Sequence, residues 1–239
     1  NNPVQLLGED RDTTIISSPA GSSAVYVGHD DVSISGFTVR GASGDHAGGI
    51  QVSNSDNCQI SDILATGNGI GLYIYGSENS NIQNNICNDN SYYGISLERG
   101  IGNTVSNNIL QENNGYDLNV YVHNDDHCNN LIENNVGSGN RPIMFYNYEV
   151  HLTSADGPFS ELILCNADLS TVDGVTVEGS DSLDNNGIVL LRTDSATVIN
   201  CDSKQNSIGI SLSRNNNDNI IKNNDASYNY RGIYVDYYC

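Results

Sequence analysis

The chain has no tryptophan, one methionine (Met144), four prolines and two lysines, Lys204 and Lys222. Its nine basic residues face 29 acidic ones, giving a formal net charge of −20. A nucleic-acid binder needs a basic footprint to displace counterions from phosphates, and docking on an anionic membrane needs basic residues too. Both partners are therefore excluded. No apolar run approaches the roughly 18 residues that cross a bilayer as a helix. The absence of tryptophan removes the usual sugar-stacking platform. No Asn-x-Ser/Thr sequon occurs, so no N-linked glycan is expected. The chain starts at Asn1 with neither an initiator methionine nor a signal peptide. It reads as a processed mature chain or an excised fragment.

What the chain has in excess is asparagine, 36 residues, with 24 glycines beside it. Both favour turns and left-handed backbone and disfavour helix interiors. Mixed with regularly placed Val and Ile, they predict many short strands joined by tight turns.

An internal repeat decides the architecture. Gly49-Ile50-Gln51-Val52 recurs as Gly71-Leu72-Tyr73-Ile74 and Gly94-Ile95-Ser96-Leu97. After an irregular middle it returns as Gly187-Ile188-Val189-Leu190, Gly209-Ile210-Ser211-Leu212 and Gly232-Ile233-Tyr234-Val235. The spacings are 22 and 23 residues in each half. Asparagine pairs ride on the same period, at Asn84-Asn85, Asn107-Asn108, Asn134-Asn135 and Asn223-Asn224. A unit of two or three such strands cannot bury its apolar face alone. Stacking units does so, each strand pairing with its copy about 4.8 Å along the axis. The prediction is an all-β, single-stranded parallel β-helix (β-solenoid) of about ten coils, with asparagine ladders and uncapped ends. It forms one domain over 1–239. The period breaks near 146–162, read as an irregular coil, with two shorter solenoids meeting there as the alternative.

These motifs resemble the parallel β-helix repeat family. That family includes archaeal, especially methanogen, cell-surface and sheath proteins, the periplasmic maturation factor of nitrous oxide reductase, and pectate-lyase-like carbohydrate enzymes. The opening Leu6-Leu7-Gly8-Glu9-Asp10 is similar to the family's first coil, and Glu161-Leu162-Ile163-Leu164-Cys165-Asn166 is most similar to the surface proteins. The resemblance implies the solenoid; it does not choose among those roles.

Enzymes of this fold carry acids and bases from neighbouring coils on one outward strip. Asp30 and Asp31 form the one paired-aspartate motif singled out, and Asp45 with His46 could join them as acid and base. The plainer reading of Asp30-Asp31 is a charged turn before a strand. Nine basic residues scattered along the chain make no cluster in sequence to stabilise a carbanion, and Glu98-Arg99 reads as surface charge. The most metal-like group is His123, Asp125, His127 and Cys128, competent ligands crowded on one loop. With no second cluster at ligand spacing, no metal and no cofactor is expected. Strand alternation places Tyr73 and Tyr75 outward, and Tyr121, Tyr146 and Tyr234 fall at matching register. That stripe could bind sugar or protein.

Cys58, Cys87, Cys128, Cys165, Cys201 and Cys239 are an even set, as in disulfide-bonded extracellular chains. No two fall at matching register in neighbouring coils, and Cys239 is placed to bond another chain. Bare terminal coils favour a neighbour stacked end to end. The leading expectation is thus a structural protein at the cell surface or outside the cell. It would be a self-assembling subunit of a sheath or surface layer, polymerised by amyloid-like coil stacking and disulfide cross-links. The alternatives are a secreted polysaccharide-active lyase, hydrolase or epimerase, and a carbohydrate-binding adhesin. Expected partners are copies of the chain itself and cell-surface polysaccharide.

Overall fold

The computed structural model describes residues 3–18, 21–44 and 46–236. It is an all-β parallel solenoid of about nine turns, with two short 3-10 turns at Asp125–Cys128 and Ser138–Asn140. Cys239 and Asp45 lie outside the described residues.

The repeated Gly-x-x-x segments build one face of a first stack of coils. They form the parallel strands β1 (Val25–Val27), β2 (Gly48–Ser53), β3 (Ile70–Tyr75), β4 (Tyr93–Glu98) and β5 (Tyr116–Tyr121). Inward positions stack like on like: Ile50, Leu72, Ile95 and Leu118 in one column, Val52, Ile74, Leu97 and Val120 in the next. Glycine opens each repeat because the coils close up there. A Cβ on Gly71 would stand 2.4 Å from the Gly94 carbonyl oxygen, and one on Gly94 2.6 Å from that of Asp117.

The two asparagines of each pair have different tasks. Asn84, Asn107 and Asn134 turn the corner with φ of 57°, 55° and 55°, a left-handed conformation that asparagine tolerates. Asn85, Asn108 and Asn135 point inward and form the ladder. The backbone N–H and Nδ2 of Asn85 and of Asn108 donate to the Oδ1 of the next asparagine at 2.9–3.1 Å, and Asn135 Nδ2 donates to the Val105 carbonyl. A second buried ladder runs Asn68, Asn90, Asn113.

At residues 136–142 the chain reverses. Asn135–Val136 pairs antiparallel with β6 (Pro142–Tyr146), the one antiparallel pairing among the described strands. From β6 a second stack runs parallel through β7 (Glu161–Cys165), β8 (Gly187–Leu191), β9 (Ile208–Ser213) and β10 (Arg231–Val235). It has its own core, including Leu162, Leu164, Ile188, Leu190 and Ile210. All five residues of β7 are buried, because its outward Ile163 and Cys165 join the first core. The second stack therefore closes the far end of the first. Asn186 Oδ1 accepts the Asp117 N–H at 2.7 Å and Glu161 Oε2 accepts the Leu118 N–H at 3.1 Å, so side chains occupy edge positions on β5 where a further coil would bond. The outer coils are open: Val4 and Leu7 at one end, and Ile220, Ile233 and Val235 at the other, are exposed.

The expected set of disulfides needs correcting. Cys128 and Cys165 are bonded, with Cα atoms 5.5 Å apart, and the bond ties the two stacks together. Cys58, Cys87 and Cys201 are buried free thiols. They serve as small core side chains, as Cys87 shows in its column with Ala65 and Leu110. Register within a stack could not reveal the pair, because the chain reversal brings it together.

Candidate functional site

The outward face of β2–β5 forms a groove of about 760 Å³. Pairing register sets its floor. Ser53, Tyr75, Glu98 and Tyr121 stack in one column, and Gln51, Tyr73, Ser96 and Asn119 in the neighbouring one. Tyr93 packs against Tyr116 with ring centroids 6.2 Å apart, and Tyr92 and His46 line the rim.

A polar chain runs along this floor. The Tyr73 hydroxyl donates to Glu98 Oε2 at 3.2 Å, and Ser96 Oγ donates to Glu98 Oε1 at 3.3 Å. Burial first, then the Glu98 charge, push the Tyr73 phenol upward, so it stays a donor. Arg99 Nη1 donates to the Tyr75 hydroxyl at 3.0 Å, and Nη2 lies 2.9 Å from His123 Nε2. Arginine can only donate, so His123 Nε2 is the acceptor and Nδ1 carries the proton. Partial burial and then Arg99 and Arg214 hold the His123 imidazole below its ordinary range. Arg99 Nε is buried without a partner. A guanidinium fixed through Nη1 and Nη2 still has further N–H donors on those nitrogens for a polar ligand.

Several sequence expectations change here. Glu98 and Arg99, read as surface charge, are the polar centre of the groove. Asp30 and Asp31 do not line it, although His46 does. Asp30 Oδ1 accepts the Asp56 N–H at 2.9 Å, and Asp31 sits in a left-handed turn with φ of 60°. The Asp30 carboxylate and the Asp31 backbone N–H, which donates to the Asp56 carbonyl, fasten the turn to the next coil. His46 reaches the groove through its ring, 5.6 Å from that of Tyr73.

In the loop His123–Cys128 the expected ligands have other partners. Cys128 is spent in the disulfide, Asp125 is paired with Arg192, and His127 Nδ1 accepts the His123 N–H at 3.0 Å. No group of three or more potential ligands occurs among the described residues.

The tyrosine stripe is divided. Tyr73, Tyr75 and Tyr121 share the groove. Tyr146 lies beyond the reversal on β6, edge-on to Tyr148, and Tyr234 lies on β10 beside Arg231. Sequence reasoning missed Tyr92, Tyr93 and the Arg99–His123 contact. The signal for Tyr93 was its place in the same column as Tyr116.

At its β5 end the groove meets the second stack. There a separate cavity of about 130 Å³ lies between Leu118–Val122 and the outward faces of β7–β9. Arg214, which follows β9, lies 4.2 Å over the Tyr121 ring.

The profile of a family described as periplasmic copper-binding protein (NosD) matches residues 2–154. The chain belongs to this family. No curated protein matches the sequence. Among solved structures, the catalytic domain of an α-1,3-glucanase, solved with tetrasaccharides, is 13% identical with a TM-score of 0.51. The match covers 99% of this chain and 60% of that one. A mannuronan C-5 epimerase A-module from Azotobacter vinelandii is 16% identical over 98% of this chain and 82% of that one, with a TM-score of 0.47. An alginate lyase from Paenibacillus is 12% identical over 94% and 100%, with a TM-score of 0.39. At such identities the likeness is one of fold, the β-helix that the NosD-family chain shares with them.

Proposed function

We propose that the chain is a polysaccharide-binding protein that works outside the cytoplasm and holds a sugar chain in the β2–β5 groove. The observation that carries this is the floor itself. Adjacent coils set Tyr73, Tyr75, Tyr93 and Tyr121 beside Glu98, Arg99 and Asn119 in one trough. Aromatic faces receive the apolar faces of sugar rings, while planar polar groups of fixed orientation pair with hydroxyls. The coil repeat spaces these contacts evenly, as a repeating ligand requires. These contacts hold and orient a sugar chain, and binding is the activity proposed. The disulfide and the family's periplasmic description support a location in an oxidising compartment. Titration against a panel of neutral and acidic oligosaccharides tests the reading. Saturable binding that weakens in Arg99→Gln and Tyr75→Ala supports it, and failure of every glycan to bind overturns it.

Copper, named in the family description, does not fit the loop His123–Cys128, and the described residues hold no group of three or more His, Cys, Asp or Glu that could bind it. Its favoured ligands are imidazole, thiolate and thioether. Here Cys128 and Cys165 are bonded to each other, and Met144 packs against the second core. His123 is engaged by Arg99, and Arg99, Arg192 and Arg214 set positive charge around the two imidazoles.

A second reading is self-assembly into a sheath or surface layer. Ile233 and Val235 lie in register with the buried Ile210 and Leu212 yet are exposed, so another copy could cover them. Sedimentation that stays monomeric at high concentration under oxidising conditions would count against it.

A further inference from the structure

We propose that the cavity between the two stacks is the terminal subsite of the groove, so that the protein receives the end of a sugar chain instead of an internal stretch. This rests on the groove being a sugar site. Three observations carry it. First, groove and cavity adjoin: Asn119 and Tyr121 line both. Second, the groove is blind at this end. β7–β9 stand across it, with Ile163, Val189 and Ser211 facing the cavity and Arg214 over Tyr121 at the mouth. A chain lying along β2–β5 cannot run on past β5. Third, the cavity has an unmet polar demand. Glu161 lines it at 1% exposure; Oε2 is fixed by the Leu118 N–H, while Oε1 has no partner. A buried oxygen without a partner is costly, and a terminal sugar offers hydroxyls to meet it. The walls suit the remainder of the ring: apolar Val120, Ile163 and Val189, with Ser211 and Ser213 as further hydrogen-bonding groups.

The test is calorimetric titration with maltohexaose, cellohexaose and a hexauronate. Each is used free, blocked at the reducing end by a bulky adduct, and blocked at the non-reducing end. For a hexasaccharide that binds, a block at one end should lower affinity about tenfold or more, and a block at the other less than about twofold. Ser211→Trp, which fills the cavity from the second stack, should abolish that difference while leaving weaker binding in the groove. A circular-dichroism melt checks that this variant is folded. If both blocked forms bind as well as the free sugar, the terminal subsite is overturned and the groove reading stands. If none of the free sugars binds, the groove reading fails and the inference falls with it.

Discussion

The Oδ1 of Asn108 accepts both the backbone N–H of Asn85, at 2.9 Å, and its Nδ2, at 3.1 Å, one coil away. Asn108 Nδ2 in turn donates to the Ile82 carbonyl and to Asn135 Oδ1. Asn108→Ala strands a buried donor and a buried acceptor. At about 1–3 kcal/mol for each stranded group, the loss should be near 3 kcal/mol in chemical denaturation. Asn107, its neighbour, carries only the turn. Asn107→Gly should change stability by about 0.5 kcal/mol or less, and Asn107→Ala should cost about 1 kcal/mol because alanine keeps the Cβ but lacks the short polar side chain that makes the left-handed backbone tolerable. Equal costs at the two positions would refute the division of labour.

Arg99 bridges the Tyr75 hydroxyl and the His123 imidazole, and its charge helps hold that imidazole below its ordinary range. Arg99→Gln removes the charge, so the His123 pKa should rise. A two-dimensional NMR titration of the histidine ring protons reads this directly. An unchanged midpoint would mean that partial burial and Arg214 set the value without Arg99.

The solenoid was legible because its period is local. Alternation marked Ile50, Leu72 and Ile95 as inward without knowledge of the partner coil. Tyr73, Tyr75 and Tyr121 could be placed outward for the same reason. Which part of the outward surface becomes a groove was not legible. Its lining, from His46 to Tyr121, comes from neighbouring coils of the first stack, and how far each outward side chain reaches and which partner it meets leave no periodic signature. Glu98 and Arg99 therefore looked like ordinary surface charge. Cys128 and Cys165 looked unmatched, since neighbouring-coil register was the measure applied to them.

The Cys128–Cys165 bond joins the last coil of the first stack to β7 across 37 residues of sequence. By loop-closure entropy a bridge of that span is worth about 4 kcal/mol. Cys165→Ser, or reduction of the bond, should lower the melting temperature. It should also split thermal unfolding into two steps, with the second stack separating first. A single transition at an unchanged temperature would show that the two cores are held together without the bond.

Glu161 and Asp117 are both buried at the joint between the stacks. Burial raises each pKa above the ordinary carboxylate range, and for Glu161 the Asp117 charge adds to the rise. Asp117 is surrounded by donors: the Ser138 N–H, Asn186 Nδ2, Asn113 Nδ2 and Ser160 Oγ. Glu161 has the Leu118 N–H alone. In the unfolded chain both groups ionise near their usual values, so above about pH 4 the folded state binds more protons than the unfolded state. Stability should therefore fall as pH rises from there toward the folded-state pKa values, at up to about 1.4 kcal/mol per pH unit for each proton retained. Glu161→Gln keeps an acceptor for Leu118 but cannot ionise. Urea denaturation followed from pH 4 to pH 9 should show a shallower decline in this variant, with the larger gain in stability on the alkaline side. If wild type and Glu161→Gln follow parallel curves, Glu161 does not retain its proton at the joint, and the Leu118 contact is made by the carboxylate.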